Sequence, residues 1–404
     1  MSIAQWFQPS HIAAGFVTVL VGYSSSVAIV FQAARAAGAT DAELNSWMWA
    51  LGVGMMLTCV ALSIRYRQPI LTAWSTPGAA LLATGLAGLD MNHAVGIFLF
   101  ASALTTISGL TGGFQKIMDW VPRHLAAAML AGILVNFGMD AFASIQTEWA
   151  LVSLMLIVFF IARIVMPRYS VPATLAVGIV WVGLHGMLTL SALDWTPASP
   201  VLVAPAFSIS SLLGTGLPLF LVTMTSQNIP GLAVLRANGY DAPASPLITW
   251  TGITGLILAP FGGFAYNLAA ITAAICMGDE VDTDPGRRWI AGVWAGLFYL
   301  CTGIFGATVV SIFIAFPVEL IATIAGLALL STISQSLATA LSQPSGRDAA
   351  LVAFLTTASG LSIMSIGSAF WGLFFGMIVH GLGRFSEQRA IRQAQQQNPR
   401  VQVK

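Results

Sequence analysis

The residues best suited to bind a ligand are polar side chains that interrupt otherwise apolar segments. Ser226, Gln227 and Asn228 stand together in the apolar stretch 222–241, and Pro230 follows them. Hydroxyl and amide groups can donate hydrogen bonds to a carboxylate while they remain neutral, and a proline loosens the helix beside them. We interpret this cluster as one wall of a substrate cavity. The alternative is that these groups only bond to neighbouring helices.

Two stretches rich in proline and glycine, 68–85 and 258–278, have the composition of broken membrane helices. Each has an extended or glycine-rich approach and then a run of small residues, so we expect helices to begin near Ser75–Gly78 and near Tyr266–Asn267. A helix start carries about half a positive charge on its free N–H groups and can hold an anion without lysine or arginine. Neither stretch contains a charged residue, which favours a monovalent carboxylate over a cation.

The predicted substrate-binding residues come from paired segments in the two halves of the chain. Serines in the first span complete the polar wall, aromatic rings near the breaks can stack on a flat ring, and glycines allow close approach of the backbone. Packing against lipid or other helices is the alternative for each of them. The predicted set is Ser25, Ser26, Trp74, Ser75, Thr76, Gly78, Gln227, Asn228, Gly263, Phe264, Tyr266 and Asn267.

The elements that must position these residues are membrane spans. The chain is 57% apolar and 8% charged, with a mean hydropathy of +0.84. Apolar runs of about 20 residues, long enough to cross a bilayer, recur along it, and a soluble enzyme of this composition would expose too much apolar surface. We predict an all-α polytopic membrane protein with fourteen spans: 12–34, 46–64, 70–89, 94–114, 124–143, 149–166, 172–192, 212–235, 245–262, 266–278, 289–314, 318–341, 349–363 and 365–384.

Charge and cysteine usage exclude several other classes. A net charge of +1 gives no basis for nucleic-acid binding. Cys59, Cys276 and Cys301 lie far apart in apolar runs and match neither a metal site nor a disulfide framework. The acidic loop 278–288 lacks the ligand spacing of a calcium loop. We find no catalytic motif, so we predict no metal, no cofactor and no enzyme activity.

The two halves of the chain are related in sequence. A shift of 201 residues aligns Ser25 with Ser226 and Trp49 with Trp250, in the same order. Seven spans in each half is an odd number, so the second half must be inserted upside down, a recurrent plan of secondary transporters. Chance similarity between apolar helices is the alternative. The predicted domains are 1–195 for the first repeat, 205–390 for the second and 391–404 for a polar cytoplasmic tail.

The basic residues predict the orientation in the membrane. With the N-terminus in the cytoplasm, Arg35 alone of the sixteen lysines and arginines falls outside, and its counterpart Arg236 falls inside. This asymmetry follows the positive-inside rule. An even number of spans then places both termini in the cytoplasm.

Three stretches carry a family resemblance: TSQNIPGLAVLRANGYDAP at 225–243, LAPFGGFAYNLAAITAAICMG at 258–278 and DPGRRWIAGVWAGLFY at 284–299. They resemble the benzoate/proton symporter family (BenE), and the resemblance covers nearly the whole chain. It implies the seven-plus-seven inverted-repeat fold of the uracil-permease and sulfate-permease relatives, with a core domain of spans 1–4 and 8–11 and a gate domain of spans 5–7 and 12–14. It also implies proton-driven benzoate uptake across the bacterial inner membrane, an elevator-like motion and often a homodimer.

The resemblance leaves the proton carrier open. Spans 8 and 10 of the uracil-permease relatives carry acidic ligands, whereas this sequence has Gln227 and Tyr266–Asn267 there, a departure that suits an anionic substrate. The candidates elsewhere are Asp140, Glu319 and His124, since a histidine titrates near neutral pH and burial can raise a carboxyl into that range. Interfacial or capping roles are their alternative. The alternative function is an anion channel or uniporter of the same fold without proton coupling.

Overall fold

Of the residues that the structure describes, 78% are helical. The computed structural model describes residues 6–113, 122–166, 170–188, 197–269, 272–278, 281–306, 308, 315–361, 363 and 368–397, without the side chains of 24, 25, 237 and 386–397. Its helices are α1 (Pro9–Ala36), α2 (Asp41–Tyr66), α3 (Thr76–Gly85), α4 (Met91–Leu110), α5 (Arg123–Ala143), α6 (Trp149–Val165), α7 (Ser170–Leu184), α8 (Ile209–Arg236), α9 (Ala244–Leu258), α10 (Trp289–Ile304), α11 (Val318–Ala340), α12 (Arg347–Ala358) and α13 (Ser368–Gln397). Two strands, β1 (Thr72–Trp74) and β2 (Tyr266–Leu268), and the 3₁₀ turn Ala273–Cys276 interrupt them.

The helices have the length and surface of membrane spans. Among the described residues, six are long and apolar enough to cross a bilayer, or seven if α1 is counted as one bent span. Large apolar side chains remain exposed on the shorter helices α6 and α7, where Ile164 is 83% and Leu184 80% exposed. Such a surface suits contact with lipid rather than water.

The packing pattern repeats between the two halves, as an inverted repeat requires. Helix α2 packs on α10, and their counterparts α9 and α4 pack on each other in the same way. The hairpin of α6 and α7 is matched by the hairpin of α12 and α13, and the equivalent helices α5 and α11 pack together. The predicted fold of two inverted repeats of seven segments, with discontinuous segments 3 and 10, is confirmed.

The two discontinuous segments meet at the strand pair. β1 runs antiparallel to β2, with Ala73 opposite Asn267. Helix α3 begins directly after β1, where the first helix start was predicted. The second predicted helix start, near Tyr266–Asn267, is wrong: these residues form β2, and the helical turn begins at Ala273. The chain leaves α9 through Gly262, which adopts a φ of 94°, and enters the extended conformation that β1 pairs with.

Candidate functional site

The start of α3 offers backbone donors in the interior of the protein. Ser75 caps this helix: its hydroxyl accepts a hydrogen bond from the Gly78 N–H at 3.0 Å, and its carbonyl oxygen accepts one from Ala79 at 2.7 Å. Pro77 has no N–H to donate. The Thr76 amide is therefore the remaining first-turn donor at this positive helix end.

Trp74, the last residue of β1, is held by α1. Its indole Nε1 donates to the Ser26 hydroxyl oxygen at 2.8 Å, and that hydroxyl donates to the carbonyl oxygen of Gly22 at 2.8 Å. The Tyr23 ring meets the Trp74 ring edge-on, with centroids 4.8 Å apart. The indole NH is thereby satisfied, and the ring has a defined orientation.

Gln227 and Asn228, neighbours on α8, occupy different environments. Asn228 is fully buried, and its Oδ1 accepts a hydrogen bond from the backbone N–H of Leu268 at 3.0 Å, while its Nδ2 lies 3.3 Å from the Met224 sulfur. Gln227 is half-buried and lines a cavity. The two residues lie in a π-helical turn, Met224–Asn228, in which consecutive side chains still point in different directions, so one amide supports β2 and the other faces the open space.

The cavity has a volume of about 430 Å³, within the size range of small-molecule sites, about 300–1,000 Å³. Its walls come from α1, α2, β1, the start of α3, α7, α8, the 3₁₀ turn, α10 and α11. Among the described residues that line it, none is charged. The lining is Val21, Gly22, Ser26, Met55, Ala73, Trp74, Thr76, Pro77, Ser170, Val171, Pro172, Gln227, Ala269, Thr272, Ala274, Ile275, Tyr299, Ala328, Leu329, Ser331 and Thr332.

The structure thus brings four of the predicted substrate-binding residues to one cavity: Ser26, Trp74, Thr76 and Gln227. Seven others lie behind its walls: Ser75, Gly78, Asn228, Gly263, Phe264, Tyr266 and Asn267. The Phe264 ring packs against Trp47 and Phe98, and the Tyr266 hydroxyl donates to the carbonyl oxygen of Ala50 at 2.6 Å. These aromatic residues fill the interior behind β2. The side chain of Ser25 falls outside the described residues.

The predicted proton carriers lie away from this cavity. Asp140 is exposed in the last turn of α5, and Glu319 is half-buried in the first turn of α11. His124 is buried at the start of α5, with its ring centroid 4.9 Å from that of His380. None of the three lines the cavity.

A buried contact between a histidine and an aspartate, which joins α1 to the loop before α10, was missed by the sequence reasoning. His11 Nε2 on α1 lies 3.1 Å from a carboxylate oxygen of Asp282, and the His11 side chain is fully buried. Arg288, at the start of α10, donates to the carbonyl oxygens of Met277 at 2.6 Å and Asp282 at 2.7 Å. These bonds tie the end of the 3₁₀ turn to both helices. Since the partners lie 271 residues apart, no local pattern could have revealed them.

Comparison with known protein families shows which family the chain belongs to. A family model described as BenE, benzoate membrane transport protein, matches residues 5–382. The chain belongs to the BenE family.

Two relatives agree with this assignment, and a solved structure shares the fold. The BenE chain is 50% identical over 372 residues to "Inner membrane protein YdcO" of Escherichia coli, covering 92% of this chain and 95% of that protein. It is 38% identical over 379 residues to "Benzoate membrane transport protein" of Acinetobacter baylyi, covering 94% and 96%. Among solved structures, the murine SLC26A9 anion transporter in the inward-facing state superimposes with a TM-score of 0.58 at 12% identity, over 94% of this chain and 68% of that one. That last likeness concerns the fold alone.

The family settles the general function. A BenE chain is a membrane-spanning transport protein, which confirms that it is not an enzyme. The three stretches that carry the resemblance supply six described residues of the cavity lining: Gln227, Ala269, Thr272, Ala274, Ile275 and Tyr299.

Proposed function

We propose that this protein imports benzoate, or a close aromatic carboxylate, together with protons across the bacterial inner membrane by alternating access. One observation carries the proposal: the start of α3, Gln227 and Trp74 line one cavity, and none of the described residues that line it is charged. The A. baylyi relative is named for benzoate. Benzoate combines a carboxylate, which the polar groups of this lining can bind, with an apolar ring, which the apolar residues of the lining can contact.

The carboxylate is expected at the start of α3. The helix end supplies partial positive charge and the Thr76 amide, and the Thr76 hydroxyl and the Gln227 amide can add neutral donors. Because these partial charges are fixed within a cavity of low polarity, they act more strongly than they would in water. Met55, Val171 and Leu329 offer apolar surface to the ring.

The cavity lies where the core and gate domains of our proposal meet. The gate contributes α7 and α11, and all the other walls belong to the core. A second cavity, of about 490 Å³, lies at the far end of α3 between that helix, the start of α8, α5 and the loop after α12. In the proposed topology the first cavity faces the cytoplasm and the second faces outward, so movement of the core against the gate would expose the site to each side in turn.

The orientation is tested by cysteine labelling. Single cysteines replace Ala42, before the second span, or Asp241, before the ninth, in a Cys301→Ser protein, since Cys301 is exposed. A membrane-impermeant maleimide applied to whole cells should label the cysteine at position 42 and spare the one at position 241. The opposite result would invert the proposed topology.

Transport is tested in proteoliposomes with an alkaline interior. Protonated benzoic acid crosses lipid unaided and would also accumulate there, so initial uptake of labelled benzoate must be compared with protein-free vesicles at an external pH above 7, where the neutral acid is scarce. Protein-dependent uphill accumulation, abolished when the proton gradient is collapsed, is the expected result. Benzoate that only equilibrates down its own gradient would refute the symporter and support a channel or uniporter.

Gln227→Ala tests the site itself. Loss of one hydrogen bond to a charged ligand group costs about 1.5–3 kcal/mol, so benzoate affinity should fall at least tenfold. Gln335→Ala is the matched control, because Gln335 is exposed on α11 away from the cavity. If folded Gln227→Ala protein binds benzoate as tightly as the control, Gln227 is not a benzoate ligand.

A further inference from the structure

The gate wall of the cavity carries hydroxyl groups that benzoate itself does not need. We use "gate wall" for the residues of α11 that line the cavity: Ala328, Leu329, Ser331 and Thr332. Their spacing places them on one face of the helix. Two of these four residues are therefore polar, although alanine or leucine would pack equally well against an apolar ring.

Ser331 and Thr332 differ from a neighbouring hydroxyl residue in their hydrogen bonds. Thr339, two turns further along α11, donates to the carbonyl oxygen of Gln335 at 2.9 Å. Such bonds to the preceding turn are the usual way to satisfy a hydroxyl inside an apolar helix bundle. Within the described part of the chain, the side-chain hydroxyls of Ser331 and Thr332 make no hydrogen bond. Both are half-buried and face the cavity, so their donors and acceptors are open to a ligand.

We propose that the preferred substrates are aromatic carboxylates that carry a hydroxyl group on the ring. This inference rests on the proposed function, which places the carboxylate at Thr76 and the ring along Val171 and Leu329. A ring hydroxyl can both donate and accept, as Ser331 and Thr332 can. An unsubstituted ring leaves the two hydroxyls to water, whereas a hydroxylated ring satisfies them directly. Sites built to bond a substrate hydroxyl discriminate against the analogue that lacks it.

The first experiment uses the unmodified protein. Binding of benzoate, 3-hydroxybenzoate, 4-hydroxybenzoate and 4-methylbenzoate is measured by calorimetry on purified protein. A net neutral hydrogen bond predicts that the better hydroxybenzoate binds about 2- to 10-fold more tightly than benzoate. The methyl compound has similar size but no donor, so it should gain no such preference. Equal affinity for the methyl and hydroxyl compounds would overturn the proposal whether or not any variant folds.

The second experiment removes the hydroxyls. Ser331→Ala combined with Thr332→Val should lower the affinity for the hydroxybenzoate to that for benzoate, while benzoate affinity itself stays within about twofold. Unchanged benzoate binding also shows that the variant is folded. Thr339→Val is the matched control and should keep the full preference, since its hydroxyl bonds within its own helix. A preference that survives in the double variant would overturn the assignment.

The outcomes separate this inference from the proposed function. If the unmodified protein binds none of the four carboxylates, the proposed function fails. If it binds benzoate but shows no preference for a ring hydroxyl, the proposed function stands and the role of the gate wall fails.

Discussion

The replacement Asn228→Ala distinguishes a structural amide from a substrate ligand. Sequence reasoning placed Asn228 in the binding site, whereas the structure shows its Oδ1 accepting the Leu268 N–H at 3.0 Å with the side chain fully buried. Alanine removes that acceptor, and no water replaces it readily in a buried position. A buried donor left without a partner costs about 1–3 kcal/mol. The strand pair should therefore open more easily even when no ligand is present.

The size of the effect can be read by hydrogen exchange. A loss of about 1–3 kcal/mol raises the population of the locally open state about 5- to 150-fold, and the exchange of protected amides rises with it. Mass spectrometry of a peptide covering 264–269 should show this faster exchange in ligand-free Asn228→Ala protein. Peptides from α5 and α11 should change little, because that helix pair packs elsewhere.

The neighbouring residue provides the control. Gln227→Ala should leave exchange of the same peptide unchanged and weaken benzoate binding, because Gln227 lines the cavity and makes no bond to β2. If ligand-free Asn228→Ala protein exchanges at the normal rate, the argument that Asn228 holds β2 is refuted. Asn228 would then return to the list of substrate ligands.

Three other replacements test the walls of the site. Gly78→Ala would place a Cβ 2.8 Å from the Ser75 hydroxyl oxygen, so the cap of α3 should weaken by about 1 kcal/mol and benzoate affinity should fall about fivefold in titrations. Gly263→Ala would place a Cβ 2.5 Å from the Tyr266 hydroxyl oxygen; overpacking of this kind costs about 1–3 kcal/mol and should lower the midpoint of thermal unfolding. Trp74→Phe removes the donor to the α1 hydroxyl, worth about 1 kcal/mol net, and should reduce counterflow of benzoate while thermal stability changes little. Unchanged values in each assay would contradict the respective assignment.

The spans were predictable from sequence because a membrane imposes length and hydropathy on them. The segments expected at 124–143 and 318–341 correspond to Arg123–Ala143 and Val318–Ala340. The first broken span was also predictable, since Ser75 and Pro77 are local signals for a helix start. Strand β2 was not, because three residues form it only through pairing with β1, nearly 200 positions earlier in the chain.

The candidate site was harder to predict than the fold. Sequence identified the polar residues of α8, but hydropathy does not say which side of a helix faces a cavity, so Gln227 and Asn228 could not be told apart. The glycine at 263 and the aromatic residue at 264 resembled a ligand platform, and packing behind β2 explains them instead. Ser331 and Thr332 were missed because isolated hydroxyls in an apolar helix usually bond to the backbone. Within the described residues, Ser331 and Thr332 are distinguished by the lack of such a bond, which can be seen only in a three-dimensional structure.

The strand pair couples the two half-helices more tightly than its length suggests. Ser75, at the start of α3, donates its N–H to the carbonyl oxygen of Ala265 at 3.1 Å, and Ala269 donates to that of Leu71 at 2.9 Å. The ladder thus continues past both strands, and Asn228 anchors its middle to α8. A shift of one helix start relative to the other would break several buried bonds, each costly to leave unmade. Among the described residues, α11 forms no such ladder with its neighbours, so we expect displacement to occur there, and α3 and the strand pair to move together as one rigid body.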